Sequence, residues 1–306
     1  MSKELAETLG ELARQKQFVL IGDMSHRELP VISAAAQADN MQALKKAGVK
    51  HLFLEVPQDM QPSLDRYLAG KIQAEDFYKT LEKKHPRAFE TEMGDRPFNV
   101  QLLKMAELAH ENGMKVYCAD HRSAKLKSLQ RPYEDYAQQG GMVSFEEYLE
   151  KKHTSKMPDG SKVSIFTDDR PLAEFIAKRA GNDKAAIFYG AGHGQTSYGL
   201  DEILGEDRTA RVEISSEKPG KLSRFFTRIA ASMEGMALDK DPPAAAYYAN
   251  SNEVERFAPK AAADLVRGNI ELRGLEQSKS GLDGEQASPA TRHEKASTRR
   301  SSAQPH

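Results

Sequence analysis

The sequence predicts an α/β protein with a mostly parallel central sheet flanked by helices. Short apolar runs typical of buried strands alternate along the chain with longer segments whose apolar residues recur at helical spacing. Strands separated by helices of this length form βαβ units, and sheets built from such units are mostly parallel. Several strand-like runs are followed directly by polar residues, and ligand crevices form at that end of the strands in open α/β sheets.

The elements follow in order from these patterns. Strands are predicted at Phe18–Ile21, His51–Val56, Lys115–Ala119, Ala185–Tyr189 and Ala210–Ile214. Helices are predicted at Leu5–Gln15, Leu29–Ala47, Met60–Tyr67, Pro97–Asn112 and Pro171–Ala180. Gly48 and Gly113 stand directly after two of these helices, where glycine suits a C-terminal cap.

Two long charged stretches, 71–96 and 123–165, interrupt the alternation. Unstructured loops of that length are unusual within a compact domain, so we expect helical insertions or lids over the strand ends. Beyond residue 216 the pattern changes, and helices are predicted at Leu222–Met236 and Val254–Val266.

The segment from about Ser278 onward has no periodicity and is rich in Ser, Gln, Gly and charge, which predicts disorder. The predicted organisation is therefore an α/β domain over 1–216, C-terminal helices packing on the core over 217–275, and a disordered tail over 276–306.

Composition narrows the class of partner. The net charge is −1, and basic residues are mixed with acidic ones without interleaved aromatics, so we expect no nucleic-acid partner. No apolar run approaches the roughly 18 residues of a transmembrane segment, and the first residues lack the apolar core of a signal peptide, so we expect a cytoplasmic protein. The single cysteine, Cys118, excludes an internal disulfide.

Polar residues at the strand ends are the candidate functional site. Asp23 and His26 follow the first predicted strand, Glu55 ends the apolar run of the second, and His193 follows the fourth within a glycine-rich segment. A carboxylate such as Glu55 is costly to bury unpaired. Arg170 directly precedes the helix that leads to the fourth strand. Parallel strands end at one edge of a sheet, so these side chains could converge in space.

Their chemistry suits acid–base catalysis or a divalent metal such as Mn, Zn, Fe or Co. Imidazole and carboxylate are ligands that such metals share, and the predicted ligands are Asp23, His26, Glu55 and His193. The forked donors of Arg170 could stabilise an oxyanion. Structural alternatives stay open: an N-cap for Asp23, a loop position for His26, a water-facing edge position for Glu55, and for Arg170 a salt bridge to Asp168 or Asp169.

These motifs resemble a superfamily that joins ChaN-like haem-uptake proteins, erythromycin esterases and TraB/Tiki proteins. The motifs are Gly22-Asp23-x-x-His26, Glu55, Asp169-Arg170 and Gly190-Ala191-Gly192-His193. The segment Glu55–Gly70 is most similar to the ChaN-like branch. The resemblance covers about residues 15 to 215.

The resemblance implies a mainly parallel sheet with a pocket at the strand C-termini. Matching positions that would line this pocket are Asp23, His26, Glu55, Arg170 and His193. One position departs from the pattern, because Asp23 stands where the superfamily usually has glutamate. The carboxylate is therefore one methylene shorter here, and such displacements can be costly for a catalytic group.

Three functions follow as expectations. The leading one is a hydrolase of ester or amide bonds, with or without a divalent metal, acting on a small-molecule or peptide substrate. The second is a haem- or iron-binding protein of ChaN type, with Tyr67, Tyr117 and Tyr189 as further candidate axial ligands. The third is a secreted bacterial effector that uses a non-catalytic scaffold, suggested by the hydrophilic, locally basic tail Arg292–Ser302.

Overall fold

The computed structural model confirms the α/β class, with a seven-stranded, mostly parallel sheet between two layers of helices. It describes residues 3–23, 28–85, 96–141, 148, 152–156, 160, 162–164, 168–191, 193, 199–218 and 243–256. In this part of the chain, no helix is both long and apolar enough to cross a membrane.

The strands are β1 (Phe18–Asp23), β2 (Val49–Pro57), β3 (Lys115–Asp120), β4 (Thr154–Lys156), β5 (Lys162–Ser164), β6 (Lys184–Gly190), β7 (Thr209–Ser215), β8 (Ala245–Tyr248) and β9 (Glu253–Arg256). The helices are α1 (Lys3–Gln15), α2 (Leu29–Ala35), α3 (Ala38–Lys46), α4 (Gln61–Leu68), α5 (Ala74–Lys84), α6 (Arg96–Glu111), α7 (Arg122–Gln138), α8 (Arg170–Ala180) and α9 (Leu200–Leu204). A short 3₁₀ turn, Gln58–Met60, precedes α4.

The sheet order is β3-β2-β6-β1-β7-β8-β9, in which only the last pair, β8 and β9, is antiparallel. Strand β6 comes late in the sequence but lies between β1 and β2 in the sheet. Its register pairs Gly190 with Asp23 on one side and Phe188 with Leu54 on the other. The C-terminal ends of β1, β2 and β6 therefore meet at one edge of the sheet.

The sheet buries apolar side chains on both faces. One face packs against α1 to α6 through residues such as Ile21 and Leu44. The other face packs against α8 and α9, with Phe53, Ile187 and Ile176 among its buried residues. Burial on both faces explains why the strands read as continuous apolar runs rather than as alternating patterns.

All five predicted strands are confirmed, but the helix predicted at Leu29–Ala47 is two helices, α2 and α3. The buried side chain of Asn40 donates hydrogen bonds to the carbonyl oxygens of Ala34 (2.8 Å) and Ala35 (3.0 Å). These bonds satisfy carbonyl groups at the end of α2 that no helical partner reaches, so the helix can stop there. Apolar periodicity continues across the break and does not reveal it.

The helix predicted at Val254–Val266 begins instead as strand β9. Asn252 adopts a left-handed backbone with φ of 58°, which asparagine tolerates better than most residues, and its side chain accepts a hydrogen bond from the hydroxyl of Tyr247. This turn folds β9 back onto β8. The sheet therefore continues beyond residue 216, within a compact unit formed by Met1–Pro259.

The two predicted insertions contain regular structure. The first includes α5, and the second includes α7 and the antiparallel pair β4–β5. The predicted helix Leu222–Met236, the rest of the predicted helix after Arg256, and the predicted tail 276–306 lie outside the described residues.

Gly22 permits a close approach that shapes the site edge. A Cβ atom at this position would lie 2.8 Å from the Cα atom of Ala191, which is backbone and cannot move aside alone. We expect Gly22→Ala to lower the free energy of unfolding by about 1–3 kcal/mol through this overpacking. Urea denaturation measures the change.

Gly10, within α1, supplies the matched control. A Cβ atom there would meet the nearest atom, Cβ of Ala43, at 3.4 Å, an ordinary contact. We expect Gly10→Ala to keep or raise stability, because alanine favours a helix interior over glycine. Equal stability of the two variants would contradict the role given to Gly22.

Candidate functional site

The candidate site lies at the C-terminal ends of β1, β2 and β6. Asp23 ends β1, Glu55 lies near the end of β2, and His193 follows β6. Asp23 and Glu55 are both buried. The parallel pairing of β6 with both neighbours places these three strand ends at one edge of the sheet.

His193 is held by a buried carboxylate that precedes α8. Its Nδ1 atom lies 2.7 Å and 2.9 Å from the two carboxylate oxygens of Asp169, whose side chain is only 1% exposed. A carboxylate accepts hydrogen bonds, so this contact assigns a proton to Nδ1. In the neutral imidazole, Nε2 then carries the lone pair and can act as a base or a metal ligand.

Glu55 faces the other side of the same ring. Its Oε2 atom accepts a hydrogen bond of 2.8 Å from the backbone N–H of Gly190, while Oε1 lies 4.0 Å from Nε2 of His193. The side chains of Glu55 and His193 are 4% and 13% exposed. His193 thus stands between two carboxylates, one bound directly and one separated by a short gap.

Tyr189 supports the imidazole from within the sheet. Its fully buried ring contacts His193 edge-on, with the ring centroids 4.9 Å apart and the planes at 84°. Together with the hydrogen bond from Asp169, this contact restricts the rotation of the imidazole. The two contacts therefore give the imidazole of His193 a defined orientation.

Asp23 has a different position relative to the sheet. Because alternate residues of a strand share a face, Asp23 lies on the same face as Val19 and Ile21, which pack against the α1–α6 layer. Glu55 lies on the same face as Phe53, which packs on the α8 side. The backbone carbonyl of Asp23 accepts a hydrogen bond of 2.7 Å from Ala191. Asp23 therefore helps to place the segment that carries His193, and its role as a ligand or base stays a prediction.

Arg170 forms the salt bridge that the sequence left as an alternative. Its Nε and Nη2 atoms donate to the carboxylate of Asp168 at 2.8 Å and 2.9 Å, and Nη1 donates to the carbonyl of Lys156 in β4 at 3.1 Å. In this arrangement the guanidinium binds Asp168 and connects α8 to the β4–β5 pair. The oxyanion role of Arg170 stays a prediction and would require these bonds to rearrange.

His26 lies outside the described residues. Among the residues that are described, no group of three or more His, Cys, Asp or Glu side chains is placed to hold a metal ion. Of the candidate haem ligands, the Tyr67 hydroxyl donates to Glu107, the Tyr117 ring stacks on Phe53, and the Tyr189 ring packs on His193. Their role as haem ligands stays a prediction.

Asp169 is the site residue that sequence reasoning did not select. The sequence marks Asp169 only as part of the Asp169-Arg170 motif and as a possible salt-bridge partner of Arg170. The available signal was the pair of adjacent carboxylates, Asp168 and Asp169, before one arginine. Arg170 forms its salt bridge with Asp168, and Asp169 binds His193.

No protein-family model matches the chain, and no curated protein matches its sequence. A comparison with solved structures found two matches. One is the type III effector HopBA1, with 17% identity over 71% of this chain and 86% of that chain and a TM-score of 0.43. The other is RRSP, a MARTX toxin effector domain from Vibrio vulnificus CMCP6, with 19% identity over 69% of this chain and 36% of that chain and a TM-score of 0.42. Neither match tests the superfamily resemblance proposed from the motifs.

The pair of Asp168 and Arg170 predicts a pH dependence of stability. Hydrogen bonds from Arg170 lower the pKa of Asp168 to about 2, from an ordinary value near 3.8. A carboxyl group with a lowered pKa stabilises the fold above its ordinary pKa and loses that contribution as the pH falls through its folded value. We expect Asp168→Asn to be less stable than wild type at pH 6, with a difference that shrinks between pH 4 and pH 2.

Urea denaturation of both proteins at several pH values measures this difference. The exposed pair of Lys3 and Glu7 provides a control, since Glu7→Gln removes a carboxylate from a 3.6 Å contact on the surface of α1. A gap between wild type and Asp168→Asn that does not change with pH would contradict the assigned pair.

Proposed function

We propose that this protein hydrolyses ester or amide bonds, with His193 activating a water molecule between its Nε2 atom and Glu55. The observation that carries the proposal is the placement of His193 between two buried carboxylates. Asp169 orients the ring, and Glu55 faces the nitrogen that can accept a proton. Histidine is suited to this task because its ordinary pKa lies near neutral pH.

The gap between Glu55 and His193 suits a water molecule. The two facing atoms, Oε1 and Nε2, are 4.0 Å apart. A water about 2.8 Å from each atom would see them at an angle of about 90°, which is compatible with two hydrogen bonds from one water. Such a water would donate one proton to Nε2 and the other to Oε1, leaving an oxygen lone pair for attack on a carbonyl carbon.

Asp169 and Gly190 prepare this pair for proton transfer. Asp169 keeps the proton on Nδ1 and stabilises the imidazolium that forms when Nε2 takes a proton from water. The N–H of Gly190 binds Oε2 of Glu55, while Oε1 lies 4.0 Å from Nε2 of His193. His193 can then return its proton to the leaving group as a general acid.

This pair also offers a divalent metal two ligands of suitable type. Glu55 and His193 would hold it, and the hydrogen bond from Nδ1 to Asp169 is the support that metal-ligating histidines commonly have. A metal bound there would supply Lewis-acid polarisation of the substrate carbonyl.

Replacing His193 tests the proposed base. We expect His193→Ala to lower kcat/KM by about 10²–10⁴-fold, the usual contribution of a general base, while the fold is retained. Hydrolysis of para-nitrophenyl acetate and of fluorescently labelled casein measures ester and amide cleavage. His110→Ala, which changes an exposed histidine on α6, is the matched control and should keep wild-type activity.

Activity of His193→Ala equal to that of the control would contradict the role of His193. Wild-type protein that cleaves neither probe faster than buffer would contradict the hydrolase proposal for these substrate classes. Circular dichroism of each variant separates loss of chemistry from loss of fold.

Elemental analysis tests the metal. We expect wild-type protein purified without chelators to carry about one equivalent of Mn, Zn, Fe or Co, and Glu55→Ala/His193→Ala to lose it because both donors are removed. Inductively coupled plasma mass spectrometry measures the content, with His110→Ala as the control. Equal metal content in the double variant would exclude these two residues as the ligands.

A second proposal is that the protein is a secreted effector. It rests on the hydrophilic, locally basic segment Arg292–Ser302, a composition that resembles C-terminal signals of some bacterial secretion systems. Deletion of this segment should abolish export of a reporter fusion while leaving hydrolysis by the α/β domain unchanged. Export that persists without the segment would contradict this proposal.

A further inference from the structure

Strand β3 lies at one edge of the sheet, beyond β2. An edge strand presents backbone N–H and C=O groups on its outer side, and these groups can pair with a strand of another molecule. A groove of about 820 Å³ runs beside β3, with Leu68, Tyr117 and Phe175 in its lining. The outer side of β3 therefore borders this groove.

The side chain of Gln61 occupies this outer side. Its Nε2 atom donates to the carbonyl oxygen of Val116 at 3.1 Å, and its Oε1 atom accepts from the backbone N–H of Cys118 at 2.7 Å. The second N–H of the amide donates to the carboxylate of Asp65, one turn further along α4, at 2.8 Å. The amide is thus held at both ends.

The two backbone groups bound by Gln61 flank Tyr117. In a parallel ladder, one residue of the added strand bonds to the C=O before and the N–H after the residue opposite it. The carboxamide of Gln61 makes both of these bonds and takes the place of that residue. Gln61 is the first residue of α4, so its amide is presented by a helix rather than by a loop.

We propose that Gln61 closes the β3 edge and prevents this edge from pairing with the β3 edge of a second copy of the chain. Two copies related by a two-fold axis would pair their β3 strands antiparallel through the same outward-facing donors and acceptors, so the edge is self-complementary. The intramolecular amide is always present at its target, and it competes with the second copy for Val116 and Cys118.

Removing the amide tests the proposal. We expect Gln61→Ala to self-associate with rising concentration, measured by light scattering coupled to gel filtration, and to exchange the Cys118 amide proton about fivefold faster as a monomer, because one hydrogen bond is lost. Gln61→Met keeps the length of the side chain without its hydrogen bonds and should behave in the same way. Gln42→Ala, an exposed glutamine on α3, is the matched control and should match wild type.

Each result decides the proposal. Association of both Gln61 variants, with wild type and Gln42→Ala monomeric, supports it. Variants that stay monomeric overturn it, even if exchange at Cys118 rises, because water would then be sufficient to satisfy the opened groups. Association of the wild type to the same extent as the variants also overturns it. Gln61→Met remains informative if Gln61→Ala does not fold, since it retains the packing volume.

Discussion

The insertion of β6 between β1 and β2 is the constraint on which the site depends. Parallel pairing on both sides aligns the three strand ends, so Glu55 and the segment after β6 meet although 135 residues separate Glu55 from Gly190. The close passage of Ala191 over Gly22 then sets the path of the chain toward His193. Register within the sheet, rather than any local motif, determines which polar groups become neighbours.

Three buried carboxylates at this edge of the sheet each accept hydrogen bonds from a different residue. Asp168 accepts from Arg170, Asp169 from His193, and Glu55 from the backbone N–H of Gly190. Each contact provides a donor to a carboxylate that would otherwise be costly to bury. The two neighbouring aspartates before α8 therefore have different roles. Asp168 connects the helix to β4 through Arg170, and Asp169 orients the imidazole of His193. Two carboxylates with different roles can thus stand side by side because their partners differ.

Apolar patterning predicted most elements because strand and helix burial leave periodic signals in the sequence. Each end of the five predicted strands lies within about two residues of the end seen in the structure. The pattern failed where a polar side chain or a turn decided the outcome. Asn40 caps the end of α2, and Asn252 turns β9 back onto β8. Asn40 acts through two hydrogen bonds, and Asn252 acts through its backbone angle and one hydrogen bond. Apolar periodicity records neither.

The sequence by itself determined the class of sheet, the strand-end positions of Asp23, Glu55 and His193, and the absence of an internal disulfide. These properties follow from local periodicity and from residue identity. Only the tertiary structure decided that Asp169 binds His193 while Arg170 binds Asp168, and that Gln61 covers the edge of β3. Such partnerships depend on distances of 2.7 to 3.1 Å between atoms of different elements. Those distances are set by strand order and helix placement, and no sequence spacing specifies them.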